Sequence, residues 1–84
     1  AIVSAADFMT GGIEALEIEI VDPAPAIGIS IGELGVPANA VIGAVLRDGA
    51  AIVPRGSTRF ESGDRVVVLA TPDSVGAVER LFGT

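Results

Sequence analysis

A tight turn between two apolar runs is the feature that most restricts how this chain folds. Residues 41–46 and 50–53 are rich in Val, Ile, Ala and Leu, and Asp48 and Gly49 lie between them. An Asp-Gly pair readily adopts the two positive φ angles of a type I′ turn, so the pattern predicts an antiparallel hairpin. The second strand ends at residues 54–56, Pro-Arg-Gly, because proline has no backbone donor to continue the ladder.

Two further segments have the pattern of strands. Residues 65–70 follow a turn at Gly63 and Asp64, where we expect the aspartate to accept hydrogen bonds from nearby amides. The run has four consecutive aliphatic residues, which predicts a central strand that is covered on both faces. Residues 14–22 alternate between aliphatic and acidic side chains, and this alternation indicates a strand with one face in solvent.

Two helices are indicated by their capping residues. Ser30 and Glu33 have the spacing of a capping box, in which the serine oxygen accepts a backbone hydrogen bond and the glutamate reaches back. Gly35 suits the left-handed residue that ends a helix. Residues 71–73, Thr-Pro-Asp, place a capping residue before a proline, which is the preferred start of a second helix.

These elements predict a small α+β domain with the order β-α-β-β-β-α. The sheet is expected to be four-stranded, mostly antiparallel or mixed, and packed with helices, and the domain is expected to cover residues 13–84. In residues 1–12 the apolar side chains have a loosely helical spacing that ends at two glycines, so we expect a linker or the end of a preceding helix. A core of this size is marginal, which favours oligomerisation or an attached neighbouring domain.

Charge and composition argue against several functions. The net charge is −6, with five arginines and neither lysine nor histidine, so the chain lacks the basic stripe that nucleic-acid binding needs. Cysteine and tyrosine are also absent, and no arrangement of carboxylates or serines suggests catalysis, so we do not expect an enzyme. Glu14, Glu17 and Glu19 could attract a divalent cation, but only two of them share a strand face, and we expect no metal site and no cofactor.

Membrane insertion is not expected either. No apolar run reaches the roughly 18 residues that a transmembrane helix needs. No secretory signal is evident, so the expected location is the cytoplasm.

The run SIGELGVPANAVIGAVLRDGAAIVPRGSTRFESGDRVVVLATPDSVGAVERLF resembles the RCK C-terminal domain, also called TrkA-C. In that family a short capped helix precedes an Arg-Asp-Gly hairpin, a strand that ends in Pro-Arg-Gly, a Gly-Asp-Arg turn, an apolar strand and a helix. The resemblance implies a cytoplasmic regulatory domain of a potassium channel, a potassium uptake system or another cation transporter. Such domains pair as homodimers, sense a small ligand or ion, and typically follow a nucleotide-binding Rossmann domain, whose GxGxxG motif does not occur in this sequence.

The residue pattern, together with the resemblance, suggests where a ligand and a second subunit bind. The candidate ligand-binding residues are Asn39, Arg47 and Arg55. The candidate dimer interface consists of Ile27, Ile29, Ile31, Leu34 and Val36. Asp48, Gly49, Gly63 and Asp64 are assigned to turns. An arginine at a strand end can bind a phosphate or a partner carboxylate, but a surface role is the alternative, and alanine then changes stability by less than about 0.5 kcal/mol.

The sequence also bears on which ligand the domain binds, and on whether it binds one at all. Family members that bind cyclic di-AMP have Asp-x-Arg after the short helix, whereas this chain has Gly35, Val36 and Pro37 there, so we expect no tight binding of cyclic di-AMP. The competing interpretation is a ligand-free oligomerisation module appended to another membrane transporter or to a soluble protein. A ligand that prefers the folded state raises the melting temperature, which separates the two interpretations.

Overall fold

A single antiparallel sheet forms the framework of the domain. The computed structural model describes residues 2–9 and 12–83. The described strands lie in the order β1-β2-β5-β3-β4. Their bounds are β1 Ile2–Met9, β2 Ile13–Glu19, β3 Ala40–Arg47, β4 Ala50–Ile52 and β5 Arg65–Ala70. Helix α1 spans Ile31–Leu34, and a 3-10 turn at Pro72–Ser74 leads into helix α2 at Val75–Phe82.

The predicted hairpin and the central position of β5 are confirmed. Asp48 and Gly49 have φ angles of 51° and 77°, as the turn between β3 and β4 requires. β5 pairs with β2 on one side and with β3 on the other. Val66 and Val68 are fully buried on the inner face of β5, whereas Val67 and Leu69 on the opposite face are only half-buried. The described residues therefore leave the outer face of β5 partly uncovered, and the prediction that both faces of this strand are covered is wrong.

At residues 1–12 we expected a linker or the end of a preceding helix. The expectation of a helix is wrong for residues 2–9. Ile2–Met9 is a strand, which adds a fifth member to the four that the sequence predicted. It pairs with β2 from Ile2 opposite Ile18 to Met9 opposite Ile13. The open edge of β2 offers backbone donors and acceptors, and satisfying them outweighs a weak local preference for helix. The domain boundary at residue 13 stays a prediction, and residues 1, 10, 11 and 84 lie outside the described residues.

The core lies between the inner face of the sheet and α2. Leu16, Ile18 and Val68 contribute fully buried side chains from the sheet. Phe82 from α2 packs edge to face against Phe60, with 5.3 Å between the ring centroids. The edge-to-face contact adds to the free energy gained by burying the two rings. The buried face of α2, which carries Phe82, therefore anchors this helix in the core.

The two helix starts follow the sequence with one difference. Thr71 precedes Pro72 as the cap of the 3-10 turn. Ser30 is the N-cap of α1, and Gly35 ends that helix in the left-handed region at φ 78°. The Ser30 hydroxyl does not accept a backbone hydrogen bond, however, and instead donates to Glu33 Oε1 at 2.7 Å. The first amides of α1 are free to bond elsewhere.

Candidate functional site

An open groove lies between α1, the start of β3 and the loop after β4. Its volume is about 440 Å³. The side chains that form its walls include Ile31, Val36, Val41, Ile42, Pro54 and Arg55. Among the described residues that line it, Arg55 is the only charged one. Apolar walls with one guanidinium suit a small molecule that has an apolar or flat body and an anionic group.

Backbone hydrogen bonds hold α1 as one wall of the groove. The Ile31 amide donates to the Thr58 carbonyl, and the Gly32 amide donates to the Gly56 carbonyl, each at 2.9 Å. The approach at Gly32 is close, since a Cβ atom there would lie 3.2 Å from the Gly56 oxygen. Amides at a helix N-terminus often bind anions, but these two already donate to backbone carbonyls. Arg55 therefore supplies the positive charge of the groove.

Arg47 lies outside the groove in a network of its own. Its Nε and Nη2 donate to Asp64 Oδ1 and Oδ2, both at 2.9 Å. Nη2 also donates to the Arg59 carbonyl at 2.9 Å, and Nη1 lies 3.0 Å from Glu61 Oε2. The Asp64 side chain is 1% exposed and that of Arg47 is 25% exposed. The guanidinium therefore binds one buried carboxylate through two parallel hydrogen bonds, which is the strongest geometry available to this pair.

The network shifts the ionisation of both partners. Burial raises the pKa of Asp64 and is the largest single influence on it, but the hydrogen bonds from Arg47 and from the Glu61 amide, with the attraction of the Arg47 charge, outweigh burial. The pKa of Asp64 is consequently lower than usual. The pKa of Arg47 is raised, first by its hydrogen bond to Asp64. Both groups are charged in the folded protein near neutral pH.

The structure separates the three residues predicted to bind a ligand. Arg55 lines the groove, and Arg47 is held by Asp64, so we do not carry Arg47 into the proposed ligand site. Asn39 lines a second cavity of about 180 Å³, with Leu69 and Thr71 among its neighbours. The local role of Asp64 is confirmed, because it accepts the Glu61 amide at 2.9 Å, but its bond to Arg47 was not foreseen.

The residues predicted for the dimer interface differ in their exposure to solvent. Leu34 is buried in the core, and Ile27, Ile31 and Val36 are half-buried against it. Ile29 is more exposed. Sequence reasoning missed Val41 and Val53, which are 60% and 71% exposed. Val41 lines the groove, and Val53 directly precedes its residue Pro54. For Val53 the available signal was a valine directly before a proline that ends a strand pattern.

We also searched the described residues for metal-binding clusters and for membrane-spanning helices. Within the described residues, no group of His, Cys, Asp or Glu side chains could hold a metal ion. Glu17 instead pairs with Arg65 at 3.1 Å on the outer face of the sheet. Within residues 2–9 and 12–83, no helix has the length and apolar character needed to cross a membrane.

Comparison with known proteins agrees with the resemblance drawn from the sequence. The family model of the TrkA-C domain matches residues 15–83. The chain belongs to the TrkA-C family. A Trk system potassium uptake protein TrkA homolog from Archaeoglobus fulgidus is 33% identical to this TrkA-C domain over 76 residues, which are 90% of this chain and 17% of the relative. The chain thus spans about one sixth of the length of the curated relative.

Solved structures show the same fold. The RCK_C domain dimer of S. agalactiae BusR in complex with c-di-AMP has a TM-score of 0.71 and 29% identity, over 82% of this chain and 89% of that chain. S. agalactiae BusR in complex with its busA-promotor DNA has a TM-score of 0.72 and 27% identity, over 93% of this chain and 41% of that chain. The TrkA-C domain therefore corresponds to nearly all of the first chain and to less than half of the second.

Proposed function

We propose that this TrkA-C domain is a non-catalytic regulatory domain of a potassium uptake system or channel. It acts at the cytoplasmic side as a homodimer, and a small ligand in the groove biases the membrane subunit. An upstream Rossmann domain is part of the same proposal. The observation that carries the proposal is the groove, in which one exposed arginine faces otherwise apolar walls. The names of the potassium uptake relatives support the transport role.

The surface around the groove supports pairing of two copies. Val41 and Val53 are among the most exposed large hydrophobic residues of the described chain, and both lie at or next to the groove. Burying such residues against the same residues of a second copy yields a two-fold interface. The neighbouring BusR domain is itself a dimer. Ile31 and Val36 remain in the proposed interface because they line the groove, whereas Leu34 is part of the core.

The chemistry of the groove favours a small organic anion. The Arg55 guanidinium can bind a phosphate or carboxylate, while Val36, Val41 and Pro54 can contact an apolar or flat body. The BusR neighbour holds c-di-AMP. Gly35, Val36 and Pro37 supply neither the acid nor the arginine of the cyclic di-AMP pattern, so the prediction of no tight binding to that nucleotide is kept.

The ligand-free oligomerisation module is the second candidate function. It is favoured by the scarcity of polar groups in the groove, since a partner subunit could cover those walls without any ligand. Contact with DNA is not part of either proposal. The BusR chain that binds its promotor is more than twice as long as the part matched here, and this chain has a net charge of −6.

Sedimentation velocity tests the dimer. We expect the wild type to dimerise between micromolar and millimolar concentration, and Val41→Glu to be monomeric because it places charge in the interface. Val21→Glu is the matched control, since Val21 is 49% exposed but does not line the groove. A wild type that stays monomeric, or equal dimerisation of Val41→Glu and wild type, would contradict the proposed interface.

Thermal shifts test the ligand. ATP, cyclic di-AMP, inorganic phosphate and Mg²⁺ are titrated separately into the wild type and into Arg55→Ala. We expect ATP to raise the melting temperature of the wild type with concentration and cyclic di-AMP not to bind tightly. Arg55→Ala should lose the response to ATP while its own melting temperature is unchanged. A dimer that responds to none of these probes would favour the oligomerisation module.

A further inference from the structure

A chain of contacts connects the Arg47 and Asp64 pair to α1. Besides binding Asp64, the Arg47 guanidinium donates to the backbone carbonyl of Arg59. Arg59 is also the residue that bridges to Ser30, the N-cap of α1, in an antiparallel backbone pair. The pair therefore contacts the segment on which α1 rests, although neither of its side chains lines the groove.

That segment, residues 56–60, is bonded along its length to residues 27–32. Phe60 bridges to Ile27, and its carbonyl accepts the Gly28 amide. The carbonyls of residues 58 and 56 accept the Ile31 and Gly32 amides. The Arg59 guanidinium adds a hydrogen bond to the Gly28 carbonyl at 2.7 Å. The two segments thus form a ribbon that includes the α1 wall.

Helix α1 depends on this ribbon for its position. It has only four residues, which is too short to be stable alone, and Leu34 is its only buried side chain. Gly28 and Gly35, which flank α1 and its cap, have positive φ angles and open space around them, so packing at these two positions does not hold the helix in place. Leu34 fixes the C-terminal end of α1 in the core, and residues 56–60, which Arg47 ties to the sheet, hold the amides at its N-terminal end.

We propose that Arg47 and Asp64 are positioning residues for the groove, which hold the α1 wall through residues 56–60. The proposal rests on the proposed function of the groove as a binding site. It predicts that loss of the pair loosens α1 more than it loosens the rest of the sheet, although α1 contacts neither side chain in the described hydrogen bonds.

Amide hydrogen exchange on the ligand-free full chain tests this. Asp64→Asn removes the charge while keeping the shape, and Glu17→Gln is the matched control because Glu17 pairs with Arg65 on the outer face. We expect the Ile31 and Gly32 amides of Asp64→Asn to exchange about tenfold faster relative to the amides of the β2–β5 ladder. Glu17→Gln should leave that ratio unchanged.

The outcomes are distinct. A uniform acceleration of all amides in Asp64→Asn would mean that the pair only stabilises the whole fold, and an unchanged ratio would mean that it does not act on α1; either result overturns the proposal. If Asp64→Asn does not fold, Arg47→Lys is measured in its place, because it keeps the charge but loses the two parallel hydrogen bonds. Since no ligand is present, failure of the thermal shift assay would overturn the proposed function and not the positioning.

Discussion

Replacing Arg47 with methionine should destabilise the fold strongly. Arg47→Met keeps the aliphatic stem and removes the guanidinium, so Asp64 loses two hydrogen bonds and its only salt bridge in the described chain. The carboxylate then remains 1% exposed with the Glu61 amide as its main remaining donor. The Arg59 carbonyl also loses a hydrogen bond.

The expected cost follows from burial. Removing one partner of a buried ion pair costs roughly 3–5 kcal/mol, and the 25% exposure of Arg47 lets water partly replace it, so we expect about 3 kcal/mol. A domain of this length has a free energy of unfolding of roughly 4–13 kcal/mol. The loss corresponds to a fall in melting temperature of about 12–24 °C. The surface interpretation of Arg47 drawn from the sequence predicts less than about 0.5 kcal/mol.

Urea denaturation distinguishes the two values. The chain has no tryptophan or tyrosine, so unfolding is followed by far-ultraviolet circular dichroism. Arg65→Met is the control, since Arg65 is half exposed and pairs with Glu17 on the outer face, and it should cost less than about 1 kcal/mol. A cost for Arg47→Met no greater than that of Arg65→Met would refute the role assigned to the buried pair.

Three further predictions follow from the same structure. The pKa of Asp64 is lower folded than unfolded, so its stabilising effect is complete above the unfolded value of about 3.9 and is lost as the pH falls through the folded value. Asp64→Asn should therefore be less stable than the wild type at neutral pH but lose less stability in acid, and equal acid slopes would contradict this. Gly49→Val should cost about 1–3 kcal/mol because φ is 77° there, whereas Gly49→Asn should cost less; urea titrations that rank them in reverse would refute the turn strain. Phe60→Ala removes one ring of the pair with Phe82 and should cost about 3–5 kcal/mol, with Phe60→Leu intermediate in the same assay.

The candidate site was only partly predictable because its members are distant in sequence. Arg55 was identified as a ligand-binding candidate, but its position opposite α1 depends on the hydrogen bond from Gly32 to Gly56. For Arg47 the sequence suggested a phosphate or a partner carboxylate, or a surface role, whereas the structure pairs it with Asp64 of the same chain. A charged residue at a strand end has the same local pattern whether it faces solvent or a buried acid.

Local sequence determined the elements whose stability is local. Asp48 and Gly49 specify the hairpin, because few residues tolerate two positive φ angles, and the unbroken aliphatic run of β5 specifies a central strand. Only the tertiary structure decided the fate of Ile2–Met9, whose loosely helical spacing yields to pairing with the open edge of β2. It also decided that Arg47 binds the buried Asp64 carboxylate. Both outcomes depend on contacts between distant segments, where satisfying a buried backbone or a buried charge outweighs any preference that neighbouring residues express.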